Sequence, residues 1–426
     1  MNSLLNNTDN KNETNENIEI IENGTITSVP QFFAQAIHSG VRKSKKDDLT
    51  IIYTPLDVVA SAVFTTNKFC AAPIIVCKEQ LAKSRNIKAI IINTGIANAC
   101  TGELGIENAR SVIKAASNYL NLDYENIAVA STGLIGKQIP VDKITHAIKE
   151  MASNLDPNGG HRAAKSILTI DKNSKEIAIK IKTRNENGKD NCKNIIIGAI
   201  GKGSIMIAPN MATTLCFIAT NVSIAPELID RLLKEEVEFS FNSISVDGCQ
   251  STNDMVFIQN NGESGINIEN EQSKYFDLFK KGLIFVLEEM AKKVILDGEG
   301  ASKFIEIEIK GTRSRDEAKK IGLKIANSIL FKASIFGETI NWGRIASAIG
   351  SLDIDFDTNN VDIYVNNFLI FHKGMEVSEN MEPALPTMQN KNIYITIDMH
   401  CGVVSSKIWT TDLTHDFVKA SSHYKS

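Results

Sequence analysis

The chain predicts an α/β protein of the mixed α+β kind, with mixed sheets packed by helices. Three observations carry this. Short apolar runs bounded by polar or turn residues alternate with amphipathic helical stretches over most of the length. No repeat of fixed period interrupts that alternation, and no Pro/Gly-rich linker divides it. Hydrophobic residues make up 43% and charged residues 23% of 426 positions, which is a globular balance with enough apolar material for a large core.

Taken in chain order, a polar Asn/Glu-rich tail is expected over residues 1–24, disordered through about Asn17. It has no basic residue before Lys11 and no apolar h-region, so it reads as neither a signal nor a transit peptide. LTIIYT (49–54), IKAIIIN (87–93) and NIAVAS (126–131) read as buried strands, and 106–120 and 141–155 as amphipathic helices. Pro140 precedes the second helix, where its missing N–H costs little. In EIAIKIK (176–182), Ile177, Ile179 and Ile181 alternate as a half-exposed strand requires. NIIIGAI (194–200) is its expected partner, across a polar loop at 183–193. Residues 214–220 are apolar and β-prone. Helices are expected at 225–241, 271–296 and 314–328, with an alternating strand at 304–310 and paired strands beyond.

Charge and cysteine use exclude several classes. A net charge of −4 lacks the basic excess that nucleic acid requires. No apolar stretch is long enough to span a membrane. Seven widely spaced cysteines, an odd number, argue against a disulfide framework and for a cytoplasmic protein. Neither a CxxC pair nor HExxH occurs, so no metal site is expected. The Gly residues around Lys202 do not satisfy GxxxxGK[ST], which excludes a phosphate loop.

The stretch that carries chemistry is KGSIMIAPNMATTLCFIATN (202–221). Its Pro-Asn turn signal runs into the apolar strand, so a Thr stands at the junction. A Thr hydroxyl is a weak nucleophile without an adjacent base. An N-terminal Thr supplies its own base, an α-amine with a pKa of about 8. Thr213 gains that amine only if the Ala212–Thr213 peptide breaks, and the small Ala212 leaves room for Oγ to attack its carbonyl. On these residues alone, the plainer account is that Thr213 and Thr214 are ordinary strand residues.

The same stretch resembles the hallmark KGSGMIAPNMATML of the ornithine acetyltransferase family of arginine biosynthesis. VFTTNKFCAAPI (63–74), NTGIANACTGELG (93–105), STGLIG (131–136), FNSISVDGCQSTND (241–254), DGEGASKF (297–304) and NWGRIASAIG (341–350) also resemble family blocks, in the family's order. The resemblance implies the ornithine acetyltransferase-like fold, self-cleaved into two chains of 212 and 214 residues, with 25–212 the α chain beyond the polar tail and 213–426 the β chain. It implies transfer of an acetyl group from N2-acetylornithine to glutamate through an acetyl-enzyme on Thr213. It implies assembly as α2β2 and no cofactor. Members differ in using acetyl-CoA as a further acetyl donor, and no CoA signature is readable in this chain.

Carried over residue by residue, Thr132 and Gly133 would form the oxyanion hole. Thr169, Lys202, Thr213, Glu299, Ser421 and Ser426 would bind substrate, with Lys202 suited to an α-carboxylate and Glu299 to the ornithine ammonium. Several positions depart from the family pattern. Ile205 replaces a Gly, Thr214 a Met, and Thr339-Ile340 an Asp-Pro; TIDK stands for TTDT, and Ser421 for an Asn. The competing readings are an N-terminal-nucleophile amidase or aminopeptidase, and an uncleaved binding homologue.

Overall fold

The computed structural model describes residues 18–184, 190–208 and 214–423. The architecture follows from how alternate side chains of buried strands divide between two cores. In Leu215–Thr220 every residue is buried. Leu215, Phe217 and Ala219 face one apolar cluster, while Cys216 and Ile218 face another. A strand buried on both faces needs a layer on each side, and the chain supplies them.

The central six-stranded sheet runs in the order Ile18–Ile20, Lys175–Arg184, Asp190–Lys202, Leu215–Thr220, Met255–Asn260, Val59–Phe64. All its pairs are antiparallel except Leu215–Thr220 with Met255–Asn260. One face packs on helices Pro226–Glu238 and Phe276–Leu296. The other packs on a four-stranded sheet of Phe33–Ile37, Leu49–Tyr53, Ala89–Ile96 and Ile127–Leu134. Helices Gly102–Leu120 and Val141–Ala152 cover the outer face of that second sheet. The stack is therefore helices, sheet, sheet, helices. A seven-stranded mixed sheet built from Ile244–Ser245 and six strands between Phe304 and Thr411, with helices Arg315–Ala326, Ile329–Phe336 and Trp342–Gly350, has its own core.

The mixed α/β class is borne out, and several boundaries shift for visible reasons. The tail expected over 1–24 ends sooner, because Ile18–Ile20 pairs with Lys175–Arg184 and Ile18 packs against the core; residues 1–17 lie outside the described residues. The helix expected from 271 starts at Phe276, since Ser273 Oγ accepts the N–H groups of Glu269 and Asn270 in a preceding turn. The helix expected to reach 155 stops at Ala152, where Asp156 turns to pair with Ala34. The loop expected over 183–193 is shorter, because its strands run on to Arg184 and back from Asp190. Ile177, Ile179 and Ile181 alternate as expected, but Ala178 between them is buried too, so that end of the strand is covered on both faces.

A prediction arises from Lys332 on helix Ile329–Phe336. Its Nζ is buried and donates to Thr410 Oγ1 (3.0 Å) and Thr411 Oγ1 (3.1 Å), with no carboxylate in contact among the described residues. Burial pushes its pKa from the ordinary 10.5 down to about 8, against the pull of Asp412 and Asp247. The unfolded chain therefore binds more protons between those two values, so stability from this group rises with pH across that window. Below about pH 8 its full cost, roughly 3 kcal/mol, is present. Lys332→Met should be at least as stable as wild type at pH 7.5 and lose the rise from pH 8 to 10.5, as read from urea unfolding midpoints.

Candidate functional site

Two parallel strands set up the site. Ala89–Ile96 and Ile127–Leu134 run on past the apolar stretches the sequence marks, through NTGI and STGL, and pair Thr94 with Thr132 and Gly95 with Gly133. Thr132 and Gly133 thus sit in the last turn of pairing, inside the strand rather than in a turn after it. Gly133 has φ +133°, and a Cβ there would meet Gly95 backbone atoms at 2.2–2.6 Å. The residue must be Gly because a neighbouring backbone crowds it.

Thr132, Gly133, Thr169, Lys202 and Ile205 line one small pocket together with Asn253. Among the expected site residues, the structure thus brings four together. Lys202 is buried, and its Nζ donates to Thr132 Oγ1 at 3.3 Å. An ammonium only donates, so Thr132 Oγ1 accepts and its own O–H is left to point elsewhere. Burial lowers the Lys202 pKa, while Asp171, with Oδ2 3.9 Å away, favours its charge.

Asp171 gathers this corner. Its Oδ1 accepts the Gly203 N–H (2.7 Å) and the Lys175 ammonium (2.8 Å). Its Oδ2 accepts the Thr169 N–H (3.1 Å) and Oγ1–H (3.3 Å). Burial opposes its ionisation, but Lys202 and Lys175 outweigh that and hold the carboxyl well below the usual carboxylate range. Asn253 fixes the other wall, donating through Nδ2 to the carbonyls of Ala97 (2.7 Å) and Ser131 (2.9 Å).

Glu299 stands at the margin of this pocket. Its N–H donates to Ser204 O at 2.9 Å, two residues beyond Lys202. Burial pushes its carboxyl up, against the pull of Lys172. The following Gly300 packs so closely on helix His415–His423 that a Cβ would lie 2.3 Å from Phe417 N. Thr414 Oγ1 also donates to Gly300 O at 2.6 Å. That helix carries Ser421, whose Oγ is buried and finds no hydrogen-bond partner among the described residues. Ala212, Thr213 and Ser426 lie outside the described residues.

The carboxyl-terminal flank of the expected cleavage position is described. Thr214 N–H donates to Asp254 Oδ1 at 2.8 Å, and Thr214 O accepts from Met255 N at 3.0 Å. Asp254 is fully buried, and its Oδ2 has no hydrogen-bond partner among the described residues. Burial pushes this carboxyl well above the ordinary value, against the Thr214 N–H and the charge of Lys202. On the other flank, Asp247 accepts the N–H groups of Met206 (2.7 Å) and Ile207 (3.1 Å). Reasoning from sequence assigned no role to Asp171, Asp247, Asn253 or Asp254, although TIDK and FNSISVDGCQSTND contain them.

Among the described residues, no group of three or more His, Cys, Asp or Glu could hold a metal ion, and no helix is long and apolar enough to cross a membrane. Cys216 is a buried strand residue whose thiol is pushed up by burial. Trp342 and Arg344 hold the carboxy-terminal unit together: Trp342 Nε1 donates to Glu376 at 2.7 Å, and Arg344 donates to Leu330 O.

Comparison with known proteins agrees with the sequence blocks. The model of the ArgJ family matches residues 33–426. The arginine biosynthesis bifunctional protein ArgJ of Caldanaerobacter subterraneus is 38% identical over 413 residues, covering 96% of this chain and 100% of that protein. The protein ArgJ 1 of Clostridium acetobutylicum is 37% identical over 415 residues, with 96% and 100% covered. A crystal structure of the Bacillus halodurans ArgJ protein is 35% identical and covers 46% of this chain and 98% of its own, with a TM-score of 0.42. With a family model matched over residues 33–426, and relatives matched along their whole length, this chain belongs to the ArgJ family.

Proposed function

We propose that this protein is an acetyltransferase of arginine biosynthesis that moves an acetyl group from N2-acetylornithine to glutamate. The observation that carries the reading is the pocket joining Thr132, Gly133, Thr169 and Lys202, reached by a chain that belongs to the ArgJ family. The relatives' names call them bifunctional proteins of arginine biosynthesis.

In this reading the chain first cuts itself. Thr213 Oγ attacks the Ala212 carbonyl, the peptide C–N bond gives way to an ester, and water hydrolyses the ester. The result is an α chain that ends at Ala212 and a 213–426 β chain with a free Thr213 amine. The sheet supports such a cut. Asp190–Lys202 and Leu215–Thr220 are hydrogen-bonded neighbours, so the two chains stay joined by backbone pairing after cleavage. The assembly we expect is α2β2, cytoplasmic, with small-molecule substrates.

Transfer then runs in two halves. The Thr213 amine takes the Oγ proton as Oγ attacks the acetamide carbonyl. The C–N bond of the substrate breaks, the proton passes to the leaving ornithine amine, and the acetyl group remains as an ester on Oγ. The glutamate amine attacks that ester and restores the hydroxyl. The negative oxygen formed in each half is met by the Thr132 O–H, which Lys202 leaves free, and by the Gly133 N–H. Lys202 meets the substrate carboxylate and Glu299 the ornithine ammonium. No cofactor takes part; acetyl-CoA is at most a second acetyl donor.

The test is an assay with purified protein, N2-acetylornithine and glutamate, following ornithine and N-acetylglutamate. Both should form in equal amounts, with parallel-line kinetics when the two substrates are varied. Acetate released with no dependence on glutamate would favour the amidase reading instead. Asp254→Ala should also slow self-cleavage by about tenfold or more, because it leaves the Thr214 N–H unpaired in a buried place. Mass spectra of protein sampled during expression would measure this.

A further inference from the structure

Behind the pocket lies a row of buried charges that the proposed reaction does not use. Lys175 Nζ is 2.8 Å from Asp171 Oδ1 and 2.7 Å from Asp297 Oδ2, and the three side chains are 1%, 0% and 4% exposed. The third donor of the ammonium goes to Asn173 O at 3.1 Å. Every proton of Lys175 is thus committed within the protein, and it has none left for a substrate. Asp297 is equally occupied. Its Oδ2 also accepts the N–H groups of Lys172 (3.0 Å) and Asn173 (3.2 Å), and its Oδ1 accepts from Asn173 Nδ2 (3.0 Å).

The row connects two parts of the site that sequence distance separates. At one end Asp171 holds Thr169, Gly203 and, more loosely, Lys202. At the other, Asp297 lies two residues before Glu299 in the same loop. A backbone bond from Glu299 to Ser204 is a further tie between these segments, beside those from Lys172 and Asn173 to Asp297. A buried ion row adds little net stability compared with apolar packing, but it fixes separation and orientation sharply. Breaking the Lys175 link would remove the charge that sits between the two carboxylates and leave the Lys202 side and the Glu299 side joined by the hydrogen bonds of Lys172 and Asn173 to Asp297 and by that backbone bond.

We propose that the Asp171–Lys175–Asp297 bridge sets the distance between the anion-binding Lys202 and the cation-binding Glu299, and so selects the side-chain length of the acetylated diamino acid. The proposal rests on the reading of those two residues as the poles of an N2-acetylornithine site. Lys175 and Asp297 are positioning residues, since neither reaches the substrate. A bridge of fixed length admits one spacing between α-carboxylate and terminal ammonium. A homologue one methylene longer, N2-acetyllysine, places its ammonium beyond the matching position.

The experiment compares wild type, Lys175→Met and Asp297→Asn in acetyl transfer to glutamate from N2-acetylornithine and from N2-acetyllysine. Self-cleavage and the circular dichroism spectrum report folding. Asp297→Asn is the gentler change, because it keeps a side chain of the same shape at the loop. In both variants KM for N2-acetylornithine should rise about tenfold or more while kcat falls less than about threefold. The preference for N2-acetylornithine over N2-acetyllysine should shrink by a similar factor. A merely structural role would lower active protein and kcat, and would leave the preference alone. Wild type that transfers nothing from N2-acetylornithine overturns the functional reading and this proposal with it. Wild type that transfers, beside folded variants with unchanged KM and preference, overturns the bridge alone. Loss of folding in both variants would make the row a stability element and would also overturn the proposal.

Discussion

Thr213→Ala should yield one uncut chain and acetyl transfer below about 10⁻³ of wild type. Two losses coincide in this variant. Without Oγ there is no attack on the Ala212 carbonyl, so the Thr213 α-amine never forms. Without Oγ there is also no atom to carry the acetyl group. The variant should nevertheless fold, since strand Leu215–Thr220 begins beyond the substitution and keeps its neighbours on both sides. An intact-mass spectrum and the glutamate-dependent assay check both halves. A cut Thr213→Ala chain would place the break in another residue's hands.

Thr132→Val should lower kcat by about 10²–10³ and change KM far less. Valine copies the shape of threonine, so the parallel strand pairing at this position survives. The hydroxyl that Lys202 holds by its oxygen is lost, and with it the O–H that the proposed mechanism turns to the developing negative charge. Removal of a donor used only in the transition state acts on kcat. Steady-state kinetics on the cleaved protein separates the two constants. If self-cleavage uses the same donor, Thr132→Val should also mature slowly, and mass spectra taken over time would register it.

Much of the fold was legible because it rests on local pattern. LTIIYT, IKAIIIN and NIAVAS are short, apolar and bounded, and all three lie in one sheet. FIEIEIK alternates and becomes a strand with Ile305, Ile307 and Ile309 buried. The stacking of the two sheets was not legible, since an all-buried strand such as LCFIAT looks the same wherever its two covers come from. Strand ends were missed at NTGI and STGL for a related reason. Gly and Thr read as turn residues, yet here parallel pairing carries the backbone through them.

In the site, the four pocket residues came from the resemblance, while their supports were invisible. Lys175 and Asp297 lie 122 residues apart, and a Lys or Asp in a polar loop reads as solvated. Nothing in sequence marks that Lys175 meets both Asp171 and Asp297 in the interior, where Lys202 brings the second positive charge beside Asp171. Asp254 ends the polar run SVDGCQSTND, which looks like an exposed loop, and its complete burial depends on the strand Met255–Asn260 that follows. Ser421 lies on the helix packed against Gly300, and its hydroxyl finds no partner among the described residues where the family pattern has an amide.

The central claim is an acetyl group on the hydroxyl of an N-terminal Thr213. The direct measurement is to incubate purified protein with N2-acetylornithine and no acceptor, quench in acid, and obtain the masses of both chains and of the peptide that begins at Thr213. The account predicts an α chain ending at Ala212 and a β chain heavier by one acetyl group. The added mass should sit on the Thr213 peptide and disappear when glutamate is supplied. A single chain, or a β chain that gains no acetyl group while transfer to glutamate proceeds, would contradict it.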